Sequence, residues 1–280
     1  DINNKINYSI DRLNRKNILK NDVKIRKLSD HVGDIPIVLF SPDSLDIVKG
    51  APAKRREFIN MIASQLSKNY LIALQEYNKC LKIKNSCLKK DFVDREYLKI
   101  LNDKMSVYIE KIVNFRKLII EKILEKAKII EKNVTNGKED IFLKYETDFL
   151  NMTSQQINDI LNKYMEIEIM KKSSMKGIQR DDVIIYVNNL EVAKYGSQGQ
   201  NRTALLSLKL ADYEVLKEVK HENPILLLDD IMSELDGQRI SYLLKYIENC
   251  QSIITTTDSS FVKEVKNIKI SKVLSGRLEI

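Results

Sequence analysis

One stretch limits the possible folds of this chain more than any other: Pro224-Ile225-Leu226-Leu227-Leu228-Asp229-Asp230, an unbroken aliphatic run that stops at two adjacent carboxylates. Four apolar residues in a row leave no polar face. A strand of that kind is expected to be covered on both sides, as parallel strands of α/β layers are. The flanks agree. A helical pattern over 200–219 precedes the run, and a helix over 237–249 and a second strand over 252–257 follow it. Such alternation predicts a mostly parallel sheet with crossover helices. Ligands of these sheets gather outside the C-terminal ends of the strands. In nucleotide hydrolases an acid placed there holds Mg²⁺, and the next one orients or deprotonates water. The plainer alternative is that Asp229 and Asp230 accept the free N–H groups of the segment that begins at Ile231.

The rest of the chain reads as sheet interrupted by helices. Residues 5–10 alternate as a strand does, and Ile35 to Phe40 is a second β-like run that meets a turn at Ser41-Pro42-Asp43. From Ala53, with Pro52 at its start, Ile59, Ile62, Leu66, Tyr70, Ala73, Tyr77 and Cys80 recur at helical steps. A cleaner series, Leu98, Leu101, Met105, Tyr108, Ile112, Phe115 and Ile119, alternates steps of three and four, which is heptad spacing. A helix over 94–133 would be about 60 Å long. It is expected to project as an arm, with packing in a bundle as the alternative. Thr135-Asn136-Gly137 breaks the pattern and 141–147 reads as a strand. Thr153 and Gln156 have capping-box spacing for a helix to about Met170. Val183 to Val187, Asn188-Asn189 and Leu190 to Tyr195 read as a β-hairpin, because Asn tolerates the left-handed turn. The expected division is a head part over 1–53, an inserted helical lobe over 54–173, and the rest of the head over 174–280.

Composition narrows the class without choosing a function. The 280 residues are 43% hydrophobic and 31% charged, which suits a folded globular chain. Lys and Arg number 47 against 39 Asp and Glu, a net charge of +8. That excess suits a polyanionic partner and is equally the habit of Lys-rich proteins. Cys80, Cys87 and Cys250 show no paired spacing, so neither a disulfide framework nor a zinc site is indicated and a reducing cytoplasm is the expected compartment. No apolar run approaches the roughly twenty residues of a membrane span. The first residue is Asp1 and not Met, so the chain is expected to begin inside a longer reading frame or after processing.

A second segment, Tyr195-Gly196-Ser197-Gln198-Gly199-Gln200, opens the helix that carries Leu205, Leu208, Val215, Leu216 and Val219. Small residues and a hydroxyl at a helix N-terminus can hold an anion on free N–H groups. Read alone, the glycines can equally serve a turn. Taken in order, the two segments resemble the ABC-type ATPases of the SMC and RecF kind. Ser197-Gln198-Gly199-Gln200 is similar to their signature motif and 224–230 to their Walker B strand, and Ser233-Glu234-Leu235-Asp236 falls on the D-loop. The run from Tyr195 to Thr203, Leu228-Asp229-Asp230 and Ile254-Thr255-Thr256-Thr257-Asp258 resembles RecF more than other members. Val38 to Asp43, Lys49 to Arg56 and Arg180-Asp181-Asp182 resemble it too, although Ile178 and Gln179 stand where the family carries Pro and His.

That resemblance implies an α/β ABC-type ATPase head with an inserted helical or coiled-coil lobe, and roles for single residues. Asp229 would order Mg²⁺ through water and Asp230 would polarise the attacking water. Ser197, Gln198, Gly199 and Gln200, with Asp236, would meet the ATP held by a second protomer, and Thr257 would stand in the switch loop. The Walker A pattern occurs nowhere in the 280 residues. The chain alone is therefore expected to bind and hydrolyse ATP poorly, and the full-length protein to be a weak, DNA-stimulated ATPase. The implied setting is recombinational repair, replication-fork maintenance and the SOS response. The implied partners are duplex or gapped DNA, a second copy of the chain, RecO and RecR. Lys54, Arg55, Arg56, Lys89, Lys90, Lys171, Lys172 and Lys176 are candidate phosphate contacts because they cluster in sequence. The alternatives are an SMC-like structural protein, disfavoured by the small insertion, an ABC-headed nuclease, and a noncatalytic interaction module.

Overall fold

The aliphatic run before Asp229 is the middle strand of a parallel sheet. In this computed structural model, residues 5–11, 13, 16–25, 27–258, 268–274 and 277–279 are described. Strands β1 (Ile6–Ile10), β2 (Lys16–Lys20) and β3 (Val23–Lys24) form an antiparallel sheet. Strand β4 (Ile37–Phe40) leads through a capped turn at Ser41 to the short helix α1 (Asp46–Lys49) and to α2 (Pro52–Leu66). Helix α3 (Lys68–Leu88) and the 41-residue α4 (Arg95–Thr135) follow, then β5 (Ile141–Glu146), α5 (Ser154–Lys163) and α6 (Met165–Lys171). The chain returns through β6 (Asp182–Val187), β7 (Leu190–Glu191), α7 (Val192–Tyr195) and α8 (Gln198–Lys220). It continues through β8 (Ile225–Asp229), α9 (Gly237–Ile247) and β9 (Ser252–Thr255), and a small hairpin of β10 (Lys272–Leu274) and β11 (Arg277–Glu279) follows.

Strand β8 lies between β4 and β9, parallel to both, with Ile37 opposite Ile225 and Asp229 opposite Thr255. Its inward residues Leu226 and Leu228 are buried. The expectation of cover on both faces holds for one face only. Ile37, Leu39 and Ile253 stay exposed on the other, because among the described residues α8 packs on one side of the sheet alone. Helix α8 is buried almost continuously from Asn201 to Leu216, between this sheet and the C-terminal half of α4. Strands β5, β6 and β7 form a second, antiparallel sheet against α2 and α4. One apolar core runs through both sheets and α2, α4, α8 and α9.

The heptad series belongs to a packed helix and does not project as a free arm. Side chains of α4 are buried from Leu98 to Val134. Helices α3 and α5 cover its N-terminal part and α8 its C-terminal part, so each turn of the apolar stripe finds a partner. The connection 89–94 joins α3 directly to α4, and a satellite cluster of Leu88, Leu98, Leu101 and Met165 closes that end of the lobe. Beside it the Lys84–Glu168 ion pair is fully buried at 2.7 Å.

Helix ends follow local chemistry. Ser67 is extended, with φ −142°, and accepts from the Tyr70 N–H, so the helix expected from Ala53 to Cys80 divides in two. Asn136 at φ 52° and Gly137 at φ 76° end α4 in the left-handed region. Thr153 and Gln156 form the expected capping box. Asn188 and Asn189 both have positive φ, as a tight hairpin requires. The second hairpin strand is shorter than expected: pairing stops at Glu191 and 192–195 turn helical, which buries Val192.

Candidate functional site

Both carboxylates of the aliphatic strand sit where its direction places them, at the C-terminal edge of the parallel sheet. Asp229 is exposed, and its Oδ1 accepts a 2.6 Å hydrogen bond from the Thr255 hydroxyl on the neighbouring strand. Asp230 ends the ladder in the left-handed region at φ 48°. Its N–H donates to the carbonyl and hydroxyl oxygens of Thr255, at 3.1 and 3.2 Å. Its carbonyl accepts from the Ser233 hydroxyl at 2.8 Å. The carboxylate Oδ1 of Asp230 is buried with no hydrogen-bond partner among the described residues. A buried acceptor left bare is costly unless something else occupies it. Thr255 was missed in the sequence reading, and the strand register that brings it opposite Asp229 is a tertiary fact. Thr257 lies two residues beyond, exposed, and the hydroxyl that reaches Asp229 is not its own.

The second segment forms the N-terminus of α8. Ser197 is the N-cap: its hydroxyl accepts from the Gln200 N–H at 3.1 Å, and its own N–H donates to Gln200 Oε1 at 3.0 Å. Asn201 donates to the carbonyls of Gly196 and Ser197 and holds the turn from below. The amides of Gln198 and Gly199 precede the intrahelical ladder, at the positive end of a 23-residue helix. Ser197 and Gln198 are exposed and Gly199 and Gln200 half-buried, so this end faces outward.

The structure joins that helix end to the segment after β8. Asp236 caps α9, accepting from the Arg239 N–H at 3.0 Å. That backbone bond, and then the Arg239 guanidinium paired with the carboxylate, hold the Asp236 carboxyl below the usual range. The same guanidinium donates to the Gly199 carbonyl at 2.9 Å, and its Nε to the Thr203 hydroxyl at 2.8 Å. Arg202 reaches Glu234 at 3.4 Å across the same gap. Two arginines thus clasp 197–203 to 234–239. Neither was singled out in the sequence, although an Arg three residues after a capping Asp is a usable local signal.

The basic candidates divide. Arg55 is 8% exposed, its guanidinium bidentate on Asp182 at 2.7 and 2.9 Å and also bonded to the Gly50 carbonyl. With its donors already spent inside the fold, it is corrected from a DNA candidate to a structural ion pair. Lys176 is likewise engaged, by Asp148 at 2.8 Å and by the Tyr164 ring. Arg56 donates to the Asp181 carbonyl and lines an open groove of about 420 Å³ with Glu57 and Asn60. Lys54, Lys89, Lys90, Lys171 and Lys172 are exposed.

The Arg180-Asp181-Asp182 motif also acts inside the fold. Asp181 is 2% exposed and accepts from Arg116 at 2.7 Å and from the Tyr145 hydroxyl at 2.6 Å. Burial raises its carboxyl above the usual range, against the pull of Arg116. Gln179, in the place of the family's His, accepts from the Tyr77 hydroxyl and donates to the Lys176 carbonyl at 3.1 Å. Gly177 before it, at φ 139°, has no room for a side chain: a Cβ would lie 2.1 Å from the Tyr77 hydroxyl.

A parallel sheet ending in two carboxylates, a serine-capped helix beside it, the 234–239 segment clasped to that helix and an inserted helical lobe define an ABC-type ATPase head. No protein-family model matches the chain. It is 39% identical over 281 aligned residues to the DNA replication and repair protein RecF of Clostridium perfringens, covering 98% of this chain and 77% of that protein. RecF of Ligilactobacillus salivarius is 36% identical, over 99% and 76%. A solved structure of the recombination mediator protein RecF-ATPrS in the RecFOR pathway superposes with a TM-score of 0.88 at 32% identity, covering 99% of this chain and 76% of that one. A second, RecF-ATP, gives 0.85 at 31%. The chain belongs to the RecF family.

Proposed function

We propose that this chain works as part of a RecF-like ATPase of DNA repair, which closes as a homodimer on ATP, binds duplex or gapped DNA, and helps to load recombinase together with RecO and RecR. The observation that carries the reading is the pair at the end of β8: Asp229 exposed and held by Thr255, next to Asp230 with a buried, unpartnered oxygen. Asp229 would hold Mg²⁺ through water and Asp230 would polarise the attacking water. The donor set fits such an ion. Magnesium at a phosphate site takes one or two protein carboxylates and fills its other positions with water and phosphate oxygens. Among the described residues no group of three or more His, Cys, Asp or Glu could hold a metal alone. Bound magnesium would neutralise developing phosphate charge, and the protein's part is to fix the carboxylates that face it.

Ser197, Gln198, Gly199 and Gln200 would offer the N-terminus of α8 to the γ-phosphate of a nucleotide on the opposite protomer, with Asp236 at the same interface and Thr257 in the switch loop. The Ser197 hydroxyl accepts from the Gln200 N–H and so keeps its own hydrogen free for a charge-assisted bond to phosphate. DNA contact falls to Lys54, Arg56, Lys171 and Lys172, with Lys89 and Lys90, and would be mainly to phosphate and salt-sensitive. The test uses the full-length protein, with ATP-dependent dimerisation followed by light scattering and hydrolysis by phosphate release. Asp230→Asn is expected to lower hydrolysis by about a hundredfold or more and to trap the ATP-bound dimer. Ser197→Arg is expected to abolish the dimer. If neither change alters either readout, the carboxylates and Ser197 are capping groups and the reading is wrong.

A further inference from the structure

The far end of the helical lobe carries a combination that packing does not explain. Phe92, in the connection between α3 and α4, is 93% exposed, the most exposed large apolar residue of the described chain. Met170, in the last turn of α6, is 77% exposed. The two lie at one tip. Lys172 approaches Asp91 at 3.8 Å, and Met165 of α6 packs with Leu88 and Leu98 on either side of the connection. Lys89 and Lys90 precede Phe92 in the same connection, and Lys171 and Lys172 stand at the end of α6, all exposed. These four lysines outnumber Asp91 and Asp94, and Asp94 is occupied in capping α4.

We infer that this tip binds single-stranded nucleic acid, with Phe92 stacking on an unpaired base and the lysines holding the adjoining phosphates. An aromatic face next to flexible cations is the pairing that single-strand binders use, because every base offers a π-face whatever its sequence. An acidic protein partner would match the charge but not the shape. A stable protein interface needs on the order of 1,200 Å² of buried surface around a desolvated centre, and a convex helix–helix turn offers little of that. A single base needs only one ring. Self-association of tips would bring like charges together. The inference rests on the DNA-binding reading above and deepens it: duplex bases are already stacked on one another, so the tip would read the unpaired side of a gap.

The chain contains no Trp, so Phe92→Trp installs a single fluorescent reporter at the tip. Titration with oligo(dT) is expected to quench its emission, while an abasic oligomer of equal length and polyglutamate leave it unchanged. In parallel, anisotropy of labelled oligo(dT) is expected to show affinity about tenfold weaker for Phe92→Ala, with duplex affinity within about twofold of the parent chain. Oligo(dT) that binds by anisotropy without quenching the Phe92→Trp emission would overturn the tip assignment and leave the DNA-binding reading standing. Equal quenching by the abasic oligomer would exclude stacking. Quenching by polyglutamate would make the tip an acidic-protein site. If neither oligo(dT) nor duplex binds the full-length protein with ATP, the DNA reading and the tip assignment fall together, whereas duplex binding without oligo(dT) binding overturns the tip assignment alone.

Discussion

Arg239 shows how one side chain can tie two segments together. It satisfies the Gly199 carbonyl and the Thr203 hydroxyl on α8 while pairing with Asp236 at the start of α9. A shift of Asp236 on meeting a second protomer would therefore be carried to the helix end that faces its nucleotide. Hydrogen bonds to a charged donor contribute roughly 1.5–3 kcal/mol. In the full-length protein, Arg239→Met is expected to weaken ATP-dependent dimerisation about tenfold or more. Binding of fluorescent ATP by the separate protomer should stay unchanged, because in the proposed arrangement the clasp meets the nucleotide of the opposite protomer. Loss of both together would mean that Arg239 merely supports the fold.

At the scale of elements, the packing of α4 against α8 and α9 encloses a carboxyl. Glu131 is fully buried, and burial pushes its pKa up to about 7, with the Ser207 hydroxyl and Arg239 pulling down and Glu139 and Asp140 pushing up. A carboxyl whose folded pKa is raised keeps its proton in the folded chain over a range where the unfolded chain has released it. Its contribution is thus intact below about 4.5 and is lost as pH rises to about 7, with no further change above. The loss is on the order of 3 kcal/mol. Glu131→Gln, which cannot ionise, should flatten the fall in stability between pH 5 and pH 8, read as urea midpoints. An unaltered pH slope in the variant would show that Glu131 stays charged inside the fold.

Across the whole molecule, the inserted lobe and the head share their supports. Helix α4 lies in the lobe and packs its C-terminal part on α8 of the head, and Arg116 at its middle bonds Asn60 of α2, Tyr70 of α3 and Asp181 before β6, while Tyr145 of β5 meets the same Asp181. Removing one partner of a buried ion pair costs about 3–5 kcal/mol, since the other is left charged and bare. Arg116→Met is expected to lower stability by about that much while the described head and lobe still unfold in one transition, with matching calorimetric and van't Hoff enthalpies. Two separated transitions would show a lobe that folds by itself. Arg116→Met combined with Asp181→Asn should recover part of the loss.

Much of this architecture was legible because it depends on neighbours in sequence. Helical spacing, the caps at Thr153 and Ser197, the Asn188-Asn189 turn and the aliphatic strand each act within a few residues, so local chemistry determined them. The order of the two motifs was enough to indicate the family. What depends on distant partners was not readable. The heptads of α4 signalled an apolar stripe but not what would cover it, and α3, α5 and α8 decided between a projecting arm and a packed helix. The Lys49 to Arg56 segment looked like a basic cluster, yet Arg55 is spent on Asp182, which lies 127 positions away. Strand register brought Thr255 to Asp229, and the turn after β8 brought Arg239 to Gly199. A side chain's charge is written in the sequence, whereas the group that neutralises it is chosen by the fold, because Coulomb and hydrogen-bond contacts act over a few ångströms of space and not along the chain.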